Sequence, residues 1–128
     1  MLKRKKPVIV TRFIGQPRLY DEVKGTVKTA VYKTKNNMKS NEISVVDIDK
    51  ELANNQHEQI FKLADKVYPN SPARADLLVM DIENIKPLKV YPDFWNSKHC
   101  NIRPFPSEEA AALNFAGRLV KISRLVVR

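Results

Sequence analysis

The chain is short of most residues that carry obvious chemistry. Among its 128 residues it has one cysteine (Cys100), two histidines (His57 and His99), one tryptophan (Trp95) and three glycines. A lone cysteine excludes an internal disulfide framework and any cysteine-based zinc site built by this chain alone. The two histidines lack metal-ligand spacing and have no carboxylate cluster beside them, so no metal is expected. Gly15, Gly25 and Gly117 are too few and too far apart for a glycine-rich phosphate loop, and no pattern calls for a cofactor. No apolar run approaches the ~18 residues of a membrane span. The basic start, Met-Leu-Lys-Arg-Lys-Lys, leads only into Val8-Ile9-Val10, too short for a signal sequence. A soluble cytoplasmic protein with no membrane partner is therefore expected.

Acidic residues are scarce in one place. Residues 1–40 hold eleven basic side chains against only Asp21 and Glu22, whereas residues 41–128 balance twelve against twelve. The whole net charge of +9 belongs to the first third. Such asymmetry points to a polyanion, either nucleic acid or an acidic protein. The candidate anion-binding residues are Lys3, Arg4, Lys5, Lys6, Arg12, Lys24, Lys28, Lys33, Lys35 and, further along, Arg74. The alternative is a solubilising arm and hairpin. Only Phe13, Tyr20 and Tyr32 are available nearby for base stacking, which weakens the nucleic-acid case.

What is present is enough apolar residue, 43% of the chain, for one domain. At this length a fold buries about two-thirds of its unfolded surface. Residues 1–6 read as a disordered, solvated basic arm and 7–128 as a single domain. Strands are expected over 7–13, 26–32, 43–48, 75–79 and 88–91, with an apolar tail or strand at 125–127. A helix starts at Asn55 with Glu58 completing a capping box, its stripe being Ile60, Leu63, Ala64 and Val67. A last helix follows Ser107 as cap, burying Leu113, Ala116, Leu119 and Val120. Gly117 inside it suggests close packing. The irregular order of strands and helices implies an α+β fold, a mainly antiparallel sheet carrying two principal helices.

The densest stretch is Asp93–Pro106, which holds Trp95, His99 and Cys100 and is fixed by prolines at 92, 104 and 106. It reads as a proline-braced connector. His99 is the candidate acid/base, imidazole being the side chain that changes charge near neutral pH. The competing role is a loop-pinning hydrogen bond to backbone or to Asp93. Cys100 beside it faces the other way in an extended segment and reads as a buried thiol. Ser44 lacks a nucleophile-elbow setting, being inside a strand. Trp95, with Phe94 and Phe105, reads as core or as an interaction anchor rather than a base-stacking platform. Arg12, Lys28, Arg74 and Arg103 could converge as a phosphate clamp, although Arg74 could equally pair with Asp76 or Asp93.

Several phrases together resemble a family of small uncharacterised bacterial proteins. They are Arg12-Phe13, Gly25-Thr-Val-Lys28 with Ala30, Asn41-Glu-Ile-Ser-Val45, Ala73-Arg-Ala-Asp-Leu77, Asp93, His99-Cys-Asn-Ile102 and Phe105-Pro106 before an alanine-rich helix. The resemblance spans roughly residues 12–123. The chain departs from it at Val46-Asp47, where an arginine is usual, and at Phe105-Pro106, where Trp-Pro is usual. The resemblance implies domain bounds and brings no activity with it.

Three functions follow in order. The first is a non-catalytic module binding an anionic partner, nucleic acid foremost, through the basic third. The second is an enzyme acting on a phosphate-bearing substrate with His99 as acid/base. The third is an accessory or immunity-type interaction subunit anchored by Trp95.

Overall fold

Two-residue alternation of buried and less buried side chains marks three strands of the molecule, over 43–45, 89–91 and 99–103, whereas residues 73–77 are buried in succession. The computed structural model describes residues 5–33, 41–65, 69–93 and 98–128. The chain runs through β1 (Ile9–Ile14), β2 (Tyr20–Asp21), β3 (Thr26–Val27), β4 (Ile43–Asp47), α1 (Asp49–Ala53) and α2 (His57–Lys62). It continues through β5 (Ala73–Leu78), α3 (Val79–Glu83), β6 (Lys89–Pro92), β7 (His99–Arg103), α4 (Glu109–Ile122) and β8 (Arg124–Val127). Six strands form one sheet in the order β6-β7-β4-β1-β5-β8, and every pairing in it is antiparallel. The fold is α+β, as expected. Among the described residues no helix is long and apolar enough to cross a membrane.

The register sorts side chains onto two faces, because alternate residues of a strand point opposite ways. On one face lie Val10, Ile14, Ile43, Val45, Ala75, Leu77, Val90, Cys100 and Ile102, all buried in the main core. Ile82 of α3 and Ala116 and Leu119 of α4 pack into it. Each fully buried Leu, Ile or Val there contributes about 1.5–3 kcal/mol. The opposite face carries Thr11, Ser44, Val46, Arg74, Asp76, His99, Asn101 and Arg124, as the pairings Thr11↔Asp76, Val46↔His99 and Asp76↔Arg124 require.

Only α4, at 14 residues, is long; the other helices have five or six. The expected helix at Asn55 starts later, because Asn55 takes a left-handed φ of 58° and an N-cap needs extended backbone. It is shorter than expected, ending at Lys62. Ile60 and Ala64 are buried as expected, Leu63 is 40% exposed, and Val67 lies outside the described residues. The α4 cap is Glu108 rather than Ser107. Its carboxylate accepts from the Ala110 and Ala111 amides at 3.0 and 2.9 Å, meeting two otherwise unpaired donors. Leu113 of its expected stripe is 44% exposed. Gly117 does not mark close packing, since a Cβ there would meet nothing within 4 Å.

Two other expectations are corrected. The strand expected over 26–32 stops at Val27 and becomes a 3-10 turn, Thr29–Tyr32. The backbone bonds locally there, the Val31 amide donating to the Lys28 carbonyl at 3.0 Å and the Lys33 amide to the Ala30 carbonyl at 3.3 Å, as a 3-10 turn does and a strand does not. The Tyr32 hydroxyl hydrogen-bonds Ser123 Oγ, which itself donates to the Leu119 carbonyl at 2.7 Å. Burial holds this phenol well above its ordinary pKa, the Ser123 bond only partly offsetting it. Asp93–Pro106 is likewise not a plain connector. Its middle is β7, an interior strand between β6 and β4.

Candidate functional site

The site is assembled where β4, β7 and the end of β6 meet. Ser44 leaves β4 on the face away from the main core and is exposed. His99 opens β7 on the same face. The Asp93 amide, just past β6, donates to the His99 carbonyl at 2.8 Å, fixing the carboxylate beside the ring. Side chains then join in series. Ser44 Oγ lies 2.6 Å from His99 Nε2, and His99 Nδ1 lies 3.0 Å from Asp93 Oδ2. An ionised carboxylate only accepts, so Nδ1 carries the proton, and Nε2 is left to accept from the Ser44 hydroxyl. His99 and Asp93 keep 26% and 28% of their side-chain surface exposed, so the chain is open to solvent.

This serine–imidazole–carboxylate order has the connectivity of an activated nucleophile: the base takes the hydroxyl proton and the acid orients the base. The backbone at Ser44 is held from the other side. β1 and β4 pair only at Val10↔Asp47 and Thr11↔Val46, whereas β1 and β5 pair along six residues. Past Thr11 the two strands part. Arg12 fills the opening, donating from Nη1 to the Ser44 carbonyl at 2.8 Å and from Nε to the Val31 carbonyl at 3.0 Å. On the relay's face, Arg103 lies 4.2 Å over the Tyr91 ring and 3.7 Å from Glu42.

Among the expected site residues, His99 bonds Asp93, one of the partners named for its loop-pinning role, and it also bonds Ser44, which was set aside. Once β7 is a strand, His99 and Asn101 alternate with buried Cys100 and Ile102, and parity alone puts His99 on the face Ser44 occupies. Cys100 is buried and forms no disulfide among the described residues, as expected.

The four-residue phosphate clamp does not form. Arg12 lies on the core face of β1, while Arg74 lies on the opposite face of β5 and is only 1% exposed. Lys28 is exposed just before the 3-10 turn. Arg74 pairs with Asp76 at 3.0 Å. Of the basic third, Lys5, Lys24, Lys28 and Lys33 are exposed, and Lys6 pairs with Glu83 at 2.7 Å. That contact and the Val90 amide lower the Glu83 pKa on balance, although burial, the largest single influence, pushes it up. Lys3, Arg4, Lys35 and Trp95 lie outside the described residues.

No family model, no curated protein and no solved structure matches the chain.

Proposed function

We propose that the protein is a hydrolase that uses Ser44 as nucleophile on an ester of an anionic, phosphate-bearing substrate. The observation that supports this reading is the continuous chain from Ser44 Oγ through His99 to Asp93. In the first step Ser44 Oγ attacks phosphorus while His99 Nε2 takes the hydroxyl proton. The P–O bond to the leaving alcohol breaks, and His99 returns the proton to that oxygen. A water, deprotonated by His99 Nε2, then attacks phosphorus; the bond to Ser44 Oγ breaks, and His99 gives the proton to Ser44 Oγ, which releases the phosphate monoester and regenerates the relay. Asp93 holds the imidazole in the required tautomer throughout. The net charge of +9 draws an anionic substrate to the molecule.

The test uses bis(4-nitrophenyl) phosphate with the wild type, Ser44→Ala, His99→Ala and Asp93→Asn. The expected result is turnover that falls at least ~100-fold in each variant. Turnover unchanged in Ser44→Ala, or none in the wild type, removes the proposal.

A second reading is favoured by the charge split. In it the protein binds a nucleic acid without cleaving it, through Lys5, Lys24, Lys28 and Lys33, which are exposed and make no ion pair among the described residues. Neutralising these four should weaken RNA or DNA binding and flatten its salt dependence. Ser44→Ala should leave that binding intact. No complex at ~50 mM salt rejects this reading.

A further inference from the structure

The same sheet face carries a second feature, at the opposite half. A cavity of about 340 Å³ lies between α1, the start of α2 and strands β1, β5 and β8. Its polar wall is His57, Arg74, Asp76, Asp81 and Arg124. Its apolar wall includes Leu52, Ile122 and Val126. The volume lies at the low end for a small-molecule site, and the mixture of apolar lining with a few polar groups is typical of one.

The donors of this wall are not all used. Arg74 Nε donates to Asp76 Oδ1 at 3.0 Å, and Nη2 lies 3.4 Å from His57 Nδ1. Its Nη1 is buried and has no acceptor among the described residues, in a side chain 1% exposed. Phe61 stacks under the guanidinium at 5.0 Å, but a ring face is a weak acceptor. Arg124, directly across from Asp76 in the β5–β8 register, makes no ion pair among the described residues. Asp76 is engaged by Arg74, and Asp81 is the remaining carboxylate. An unmet buried guanidinium donor beside an unpaired arginine calls for an anionic acceptor, and the aliphatic wall calls for an apolar body.

We infer that this cavity binds a small carboxylate with a short aliphatic tail, its carboxylate held by Arg74 and Arg124 and its tail against Leu52, Ile122 and Val126. The inference is independent of the relay, which lies on the other half of the sheet.

The probe is hexanoate, compared with acetate and with hexylammonium, read by calorimetry and by the shift in melting temperature. Hexanoate should bind and stabilise the wild type and Ser44→Ala alike. Arg124→Ala should weaken it about tenfold, the worth of one charge-assisted hydrogen bond. Because Arg74 variants risk misfolding, Leu52→Trp serves as the second variant; it fills the apolar end and should abolish binding while the fold persists. Acetate should bind more weakly than hexanoate by at least tenfold. Equal binding of hexylammonium, binding insensitive to Arg124→Ala, or no heat and no stabilisation by hexanoate at roughly 10 mM overturns the assignment.

Discussion

One face of one sheet is used in two different ways. Over β5 and β8 it is roofed by α1 and α2, and the polar pair beneath, Arg74 and Asp76, is 1% and 6% exposed. Over β4 and β7 it stays open, and Ser44, His99 and Asp93 form a hydrogen-bonded series in reach of water. The chemistry of both halves is polar; what differs is access to solvent. A buried ion pair is held by the cost of leaving either charge alone, so it rigidifies the strand and meets only what enters the cavity it lines. The open series is energetically cheap to break and free to exchange protons.

The largest effect should come from breaking the covered half. Arg74→Ala leaves Asp76 buried without its partner, and we expect a loss of about 3–5 kcal/mol in denaturant unfolding. Replacing both residues at once, Arg74→Met with Asp76→Leu, should recover most of it. The contact joining the halves comes next. Lys98, beside β7, pairs with Glu51 of α1 at 2.7 and 3.0 Å and is 30% exposed. Lys98→Ala should cost about 1 kcal/mol, with a smaller cost at high salt. On the helix packed against the other sheet face, Gly117→Ala should stabilise by roughly 0.5–1 kcal/mol, since the added methyl meets open space and alanine favours the helix. The smallest stability effect belongs to the open half. Ser44→Ala should change unfolding by under about 0.5 kcal/mol, and a drop of several kcal/mol would show that the series is a structural brace.

The fold class was legible because β1, β4, β5 and β8 carry short β-branched or aliphatic runs. β7 was hidden by prolines at 92, 104 and 106, which suggest a loop, although Cys100 and Ile102 keep the period of a strand. The 3-10 turn at Thr29–Tyr32 was hidden because its residues also fit an alternating pattern. α1 was not expected, being only five residues long and too short to show a helical stripe; Asp49 stands at its start. The Asp49 carboxylate accepts the Val8 and Ile9 amides, both at 2.9 Å, and ties the helix start to β1. At the site, His99 and its bond to Asp93 could be read from proximity in sequence. Ser44 could not, because it stands 55 residues away and joins His99 only through the β4–β7 pairing. Local pattern assigns faces to a strand; it does not say which strands are neighbours.

The most direct test of the central claim is intact-mass and peptide mapping after exposure to a fluorophosphonate, which reports nucleophilic serine without assuming a substrate. The relay requires a single adduct on Ser44, lost in His99→Ala and slowed in Asp93→Asn. No adduct, or one that forms on Ser44 equally fast without His99, would contradict it.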